Sequence, residues 1–350
     1  MSSIVIYEGD SYKNFYPFTI NHATFEIRVG AWTILDLIKC DQSTKGDNPI
    51  ILIVRDSIKD IVAQRYPYAN VNPDNIPNDS FKIELPLDFN GYDNLFPITG
   101  MNEGEPKRVR YLHPFFERKD NFNSPHKSCI TVGEGAIRIS NSATVCAGTI
   151  LDSSNGAIMI DDNALIDIGV LIKGPAYIGK NSIINPGAKL KDVAIGPYCK
   201  IGGEVEHTTF HGYSNKQHDG YLGHAYVGEW VNLGANTNNS DLKNNYSNIK
   251  VNMGDKEIDA GMFAGCLIGD YTKTGISTMI NTGTYIGLGC NIFGAGFQKK
   301  HIQNFSWGMG DDKTDFDKFI QTLQIVKGRR DKEVTSAELE LLKNIYKDKI

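Results

Sequence analysis

Cysteine is sparse in this 350-residue chain, and no two of its six cysteines, at 40, 129, 146, 199, 266 and 290, form a C-x-x-C pair. A zinc or dithiol motif of that spacing is therefore missing, and the thiols read as small buried side chains. An excess of positive charge is missing too: 41 acidic residues face 36 basic ones, and the longest basic cluster is Lys327-Gly328-Arg329-Arg330. That balance argues against an extended nucleic-acid surface. No apolar run is long enough to span a bilayer, and Ser2-Ser3 leads directly into Ile4-Val5-Ile6-Tyr7 with no basic-then-apolar leader. The expectation is a reduced, cytoplasmic setting with neither a membrane nor a nucleic-acid partner.

What the chain does have is a comb of aliphatic residues. Ile160, Ile166, Ile172, Ile178, Ile184 and Leu190 fall at every sixth position. The comb extends upstream through Ile139, Val145 and Leu151 and downstream through Ile195 and Ile201. It returns at Val227 and Leu233, then at Ile268, Thr274, Ile280, Ile286 and Ile292. Gly, Asp or Asn often follows the aliphatic residue, as in Ile178-Gly179 and Ile184-Asn185. A small residue sits four places after it, as at Ala164, Ser182, Ala188, Cys199 and Cys290.

A period of six fits neither a helix nor an alternating strand. It fits a solenoid in which each hexad is one flat wall and three walls close a coil. The residue after the aliphatic is then expected at the corner, where unusual backbone angles favour Gly, Asn and Asp. The pattern resembles the left-handed parallel β-helix of the hexapeptide-repeat acyltransferases, and the handedness is implied by that resemblance alone.

Around this solenoid the chain divides into residues 1–125, 126–300 and 301–350. The first part lacks the comb and reads as α/β. It carries strands at Ile4–Tyr7, Pro49–Val54 and Phe81–Leu85, and helices at Ala31–Lys39 and Ser57–Arg65, the latter capped by Ser57. The segment Asn121–Pro125 reads as a hinge. The comb covers roughly residues 130–297 and breaks over His207–Tyr226 and Asn238–Met262, which read as loops thrown out of the coil. Two helices follow, Phe316–Lys327 and Ser336–Lys347, with Thr335 and Glu338 forming a capping box.

The first break reads Ser214-Asn215-Lys216-Gln217-His218-Asp219-Gly220-Tyr221-Leu222-Gly223-His224-Ala225, followed by Gly228, Asn232 and Gly234-Ala235. This stretch resembles the acetyltransferase half of the bifunctional glucosamine-1-phosphate acetyltransferase/uridyltransferase family. The resemblance implies acetyl-CoA or another acyl-CoA as co-substrate, an amino sugar phosphate or sugar nucleotide as acceptor, and a homotrimer. It makes His218 the general base, with the Ala235 amide holding the oxyanion. Lys216, Tyr221, Asn232 and Lys250 would contact the acceptor. Ala264, Gly265, Arg329 and Arg330 are the candidates for CoA. Two departures stand out: the family's Arg before Pro-Gly-Ala is Asn185 here, and a family Lys falls at Glu206 or His207.

Residues Phe15–Thr19 and Phe25–Ile34, with Asn238–Tyr246 and Phe305–Gly308, are similar to a divergent sugar nucleotidyltransferase-like branch. The first part then reads as a divergent or vestigial nucleotidyltransferase domain. A Gly-rich phosphate loop is missing after the first strand, which continues Glu8-Gly9-Asp10-Ser11. If nucleotidyl transfer persists, Arg28 and Lys13 are its phosphate partners and Asp10 its Mg²⁺ ligand. Three readings therefore stand: acyltransferase, sugar-1-phosphate nucleotidyltransferase on a trimerisation scaffold, and a non-catalytic ligand-sensing trimer. A metal cluster of His207, His211 and His224 is a further alternative.

Overall fold

A computed structural model describes residues 3–43, 48–85, 125–253, 256–310 and 312–348. The comb folds as a parallel β-helix. The first wall and the one adjoining it, joined around a corner by their longer strands, carry Ile150–Asp152, Leu171–Ile178, Lys189–Ile195, Glu204–Gly212, Tyr226–Glu229, Leu267–Ile268, Tyr285–Ile286 and His301–Ile302 in parallel. A second wall is built from Thr144–Val145, Leu165–Ile166, Ile183–Ile184, Lys200–Ile201 and Asn215–Lys216. It continues through Asn232, Lys273–Thr274, Asn291–Ile292 and Ser306–Gly308. The coil thus runs past residue 297, to Gly308.

The reason is burial. Leu151, Ile160, Ile166, Ile172, Ile178, Ile184, Leu190 and Ile195 are each at most 1% exposed. One such side chain taken from water contributes about 1.5–3 kcal/mol, and the same contact repeats at every rung. The small positions hold as well: Ala164, Ser182, Ala188, Cys199, Thr284 and Cys290 are buried, and the Ser182 hydroxyl donates to Gly196 O.

The corner falls later than the sequence pattern suggests. Left-handed backbone occurs three residues after the aliphatic, at Asn163, Gly169, Asn181, Gly187 and Asn236. The glycine directly after it serves close packing of strands instead: a Cβ on Gly196 would lie 2.1 Å from His211 O.

The first break also differs from expectation. Over His207–Tyr226 the chain stays in the coil, with Asn215–Lys216 pairing with Lys200–Ile201 and Tyr221–Gly223 pairing with Glu204–Glu206. Spacing hid this, because the coil from Ile201 to the next inward position is shorter and that position holds Lys216 rather than an aliphatic residue. The second break does leave the coil and carries an antiparallel hairpin, Lys250–Met253 with Lys256–Asp259.

In the front part, β1 (Ile4–Tyr7), β2 (Ile50–Ile53), β3 (Asn70–Val71) and β4 (Phe81–Glu84) form a parallel sheet in the order β3-β2-β1-β4. Helix α1 covers Ile34–Ser43 and α2 covers Lys59–Arg65. The start of α1 is displaced from Ala31 because Trp32–Thr33 pairs with Arg28–Val29 in a small ribbon. Ser57 lies inside a 3-10 turn, Asp56–Ile58, and does not cap α2. Residues 121–124 of the expected hinge lie outside the described residues.

Helices α3 (Phe316–Gly328) and α4 (Ser336–Tyr346) cover the C-terminal coils. The Thr335 hydroxyl accepts from Glu338 N, but the Glu338 carboxylate turns away to accept from Tyr271 Oη at 2.7 Å and Lys327 Nζ at 2.6 Å. Half of the expected capping box is therefore traded for an anchor onto the coil. One hydrophobic cluster joins all three parts, with Phe15, Phe18 and Phe25 meeting Tyr226, Tyr271, Phe305, Phe319 and Leu342.

Candidate active site

Six successive coils align one corner of the β-helix. Its rungs, two residues after each inward position of the second wall, are Ile168, Pro186, Gly203, His218, Ala235 and Ile276. His218 and Ala235 are therefore adjacent rungs, and Asn236 N donates across them to Asp219 O at 2.9 Å. Both line an open groove of about 550 Å³ with Asn185, Pro186, Gly203 and Asp219. The His218 side chain is exposed there.

Lys216 lies behind the groove rather than in it. Its side chain is 2% exposed, and Nζ donates to Gly202 O at 2.9 Å and His218 O at 3.0 Å. Burial pulls its pKa from 10.5 down to about 8, against Asp219 and Glu204. It fixes the peptide that carries His218. Asn185, which stands where the family has an Arg, donates to Gln217 O at 2.9 Å and ties two rungs together. No Lys or Arg is among the residues lining the groove.

Tyr221 belongs to a neighbouring network. Its hydroxyl donates to Asp241 Oδ2 at 2.8 Å, and His224 Nδ1 meets the same oxygen at 2.7 Å. Burial and the Asp241 carboxylate raise the phenol well above its ordinary value. Burial pushes the Asp241 carboxyl up, but the hydrogen bonds from His224 and Tyr221 outweigh it and hold the group below 3.8. Gly223 makes this possible, since a Cβ there would lie 2.2 Å from Tyr221 Oη. Sequence reading missed Asp241 and Asn239. The Asn239 amide pairs with both Gly223 N and Gly223 O at 2.8 Å, as a strand would, and only the run Asn238-Asn239-Ser240-Asp241 hinted at it.

The histidines do not assemble as one cluster. His207 pairs with Asp192 and stacks on His224 at 4.6 Å between ring centroids. His211 faces the front part, where its Nε2 donates to Glu26 O at 2.8 Å. The ion-ligand reading of His207, His211 and His224 is therefore not realised.

Asn232 is exposed on the second wall, in register with Asn215 and Lys273. Arg330 NH2 reaches Asn215 Oδ1 at 3.4 Å, and Asn215 bridges to Asn232, so a candidate CoA residue lies one coil from a candidate acceptor residue. Lys200 lies on the same strip. Arg329 is exposed at the end of α3. Lys250 sits on the hairpin and pairs with Glu257 at 2.7 Å, apart from the groove-lining residues. Ala264 and Gly265 are buried, and Gly265 packs against the Gly223 carbonyl.

In the front part, Arg28 is spent on docking: Nε donates to His211 O at 2.9 Å and NH1 to Ala31 O at 2.7 Å, and its backbone N donates to Tyr226 Oη. The Phe18 ring lies 4.2 Å from that of Tyr226. Asp10 and Lys13 are exposed in the turn Asp10–Phe15 after β1. Beside that turn the Arg55 guanidinium pairs with Glu8 and lies 4.4 Å over the Tyr12 ring. Among the described residues, no group of three His, Cys, Asp or Glu side chains includes Asp10. None of the helices described is long and apolar enough to cross a membrane.

No family model matches the chain. Curated relatives do. The bifunctional protein GlmU of Thermodesulfovibrio yellowstonii is 30% identical over 162 residues, 45% of this chain and 32% of the relative. The bifunctional sugar-1-phosphate nucleotidylyltransferase/acetyltransferase of Sulfurisphaera tokodaii is 35% identical over 142 residues, 39% of this chain and 35% of the relative. The bifunctional protein GlmU of Buchnera aphidicola is 27% identical over 177 residues. The chain spans about a third of the length of these relatives, and over that part it is similar to the bifunctional nucleotidyltransferase/acetyltransferases.

Proposed function

We propose that this protein is an acyltransferase that moves an acyl group, acetyl in the first instance, from coenzyme A to the amine of an amino sugar carried as a phosphate or nucleotide. The observation that carries the reading is the pairing of His218 and Ala235 on adjacent rungs of one groove. His218 would take the proton from the amine as its nitrogen attacks the thioester carbonyl. The Ala235 amide would hold the oxyanion of the tetrahedral adduct, a contribution of about 3 kcal/mol, and collapse of the adduct would release the CoA thiolate. The strip of Lys200, Arg330 and Lys273 beside Asn215 and Asn232 would meet phosphate, since the groove itself offers no cation.

The assembly we propose is a homotrimer. Supporting it, large apolar side chains stand exposed at the last rung of the same corner and on later coils: Ile276, Phe293, Phe297 and Trp307 are 79%, 40%, 58% and 42% exposed. A patch of this kind marks a surface for association. The name of the Sulfurisphaera tokodaii relative, which joins sugar-1-phosphate nucleotidyl transfer to acetyl transfer, supports an enzyme of this class.

The test is CoA thiol release from acetyl-CoA with a panel of amino sugars, their 1-phosphates and their nucleotides, on the wild type and His218→Ala. Turnover that collapses in a folded variant supports the assignment. Absence of turnover with every acceptor removes it. Pyrophosphate release from nucleoside triphosphates with Mg²⁺ and sugar-1-phosphates would then establish the nucleotidyl-transfer alternative.

A further inference from the structure

One corner of the β-helix changes chemistry at Tyr198. On the two coils before it the corner residue is Asn163 and then Asn181, in left-handed backbone with φ of 56° and 58°. The same corner then carries Tyr198, Tyr213, Trp230 and Tyr271, with φ of 59°, 54°, 60° and 64°. Asn adopts that conformation readily and bulky residues do not, so the corner alone does not require these rings. Tyr198 stacks on Tyr213 with ring centroids 4.9 Å apart, and Tyr213 stacks on Trp230 at 4.4 Å.

The second wall changes at the same coil. Two residues after each corner its outward position is Leu165 and Ile183, and then Lys200, Asn215, Asn232 and Lys273. The turn after α3 brings Arg330 onto this strip, at Asn215. Among the described residues, Lys200, Lys273 and Arg330 meet no carboxylate, in contrast to Lys191, Lys250 and Lys327. Burial lowers the Lys273 pKa, and its Nζ donates to the Tyr271 carbonyl at 3.3 Å. The Asn215 amide donates to Asn232 Oδ1 at 3.4 Å, which leaves the exposed Asn232 amide N–H groups without a partner among the described residues.

We infer that this face binds the nucleoside diphosphate of a nucleotide-linked amino sugar. The base lies on Tyr198, the diphosphate on Lys200, Asn232, Lys273 and Arg330, and the sugar runs toward His218. The inference rests on the acyl-transfer reading of the groove and names its acceptor.

Tyr198 ends the aromatic stack. Its other face lies on the side of Asn181, whose short side chain leaves the next place in the stack without a ring. Tyr198 is half-buried, so that face is both held and reachable. A flat base continues such a stack, whichever base it is. The opposite end is closed, since Lys327 Nζ lies 5.4 Å over the Trp230 ring and Tyr271 donates to Glu338.

Three cations without counter-ions, and an amide donor between them, suit the two negative charges of a diphosphate. The sequence along each coil then sets the direction. Tyr213, Asn215 and His218 follow in order on one coil, and Trp230, Asn232 and Ala235 on the next. The five residues from Tyr213 to His218 span at most about 17 Å, the scale of an extended nucleoside-diphosphate sugar. A sugar 1-phosphate would reach from His218 to the strip and leave the tyrosines without a ligand.

Calorimetric titration of the full chain with UDP, TDP, GDP, ADP, pyrophosphate and CoA tests this. At least one nucleoside diphosphate should bind ten times more tightly than pyrophosphate. Tyr198→Asn, which restores the residue used at this corner one coil earlier, should weaken that nucleotide at least fivefold and leave pyrophosphate unchanged. Tyr198→Phe should bind as wild type. Lys200→Gln should weaken both ligands, and Lys250→Gln, on the hairpin, neither. In thiol release, Tyr198→Asn should raise KM for the nucleotide-linked amino sugar with little change in kcat.

The inference is overturned if no nucleoside diphosphate binds more tightly than pyrophosphate, or if Tyr198→Asn binds like wild type. It is also overturned if CoA displaces the nucleotide and loses as much affinity in Tyr198→Asn, because the platform would then serve the acyl donor. Nucleotide binding that depends on Tyr198, without thiol release from any acceptor, would support the site and remove only the acyl-transfer reading. Thiol release with sugar 1-phosphates and no nucleotide binding would do the reverse.

Discussion

Lys216 Nζ donates to the carbonyl oxygen of His218 at 3.0 Å, from inside the β-helix. It occupies the inward position that Ile201 and Leu233 fill in the flanking coils, so an ammonium group replaces a hydrocarbon in the core.

Stability should therefore rise in alkali. The ordinary lysine pKa is 10.5 and burial lowers this one to about 8. Below pH 8 both folded and unfolded chains carry the proton, and the full cost of burying the charge is present. Between 8 and 10.5 the unfolded chain binds more protons than the folded one, so unfolding becomes harder as pH rises. The gain approaches about 3 kcal/mol across that window. Lys216→Met should lack it. Urea denaturation of both proteins at pH 7.5 and 10.5 measures the difference, and parallel pH profiles would remove the buried-charge account. The same variant leaves two carbonyls without their donor, so acyl transfer should fall by roughly ten- to a hundredfold as the His218 peptide shifts.

Asp241 should matter at the acid end. Its carboxyl is raised by burial but lowered further by hydrogen bonds from His224 and Tyr221, ending below 3.8. A depressed carboxyl pKa stabilises the fold above the unfolded value, and the contribution is lost as pH falls through the folded one. Asp241→Asn should cost about 1–3 kcal/mol at pH 7, by leaving the Tyr221 hydroxyl and His224 short of an anionic acceptor. Near pH 2 the two proteins should converge. Thermal melts at both pH values decide this, and a gap that persists at pH 2 would count against ion-assisted bonding.

The sequence made the repeating part legible because each rung solves the same packing problem locally. An aliphatic residue every six positions buries itself whatever lies elsewhere in the chain. Lys216 escaped that reading: a lysine predicts a surface, and only the carbonyls of Gly202 and His218, set by neighbouring coils, let it turn inward. The seam between the front part and the coil escaped for a different reason. His22 meets Asp270 across 248 positions, and no local period encodes a contact between elements so far apart. His218 and Ala235 were found through motif resemblance, whereas their adjacency needed the register of the second wall.

Arg28 separates docking from phosphate binding. Its guanidinium holds His211 O and Ala31 O, with Tyr226 Oη against its backbone. Arg28→Ala should loosen the front part, which amide exchange would report as faster exchange in residues 3–43. The coil residues 158–201 should keep their protection. Unchanged exchange in the front part would contradict the clamp and reopen a ligand role for Arg28.

Two glycines give the last contrast. Gly265 was a candidate for the CoA groove, but a Cβ there would lie 1.9 Å from Gly223 O and 2.6 Å from His224 O, both backbone atoms that move only if the coil moves. Gly265→Ala should therefore destabilise the chain by several kcal/mol or prevent soluble folding, with or without acyl-CoA present. Gly328 ends α3 with open space around it and no left-handed backbone requirement. Gly328→Ala should be neutral or stabilise by up to about 1 kcal/mol, through the entropy removed from the unfolded chain. Melting temperatures of the two variants test the pair together. A Gly265→Ala protein that melts like wild type but fails to bind acyl-CoA would return that residue to the ligand groove, because only an open Cα could tolerate the added methyl and still lose the ligand.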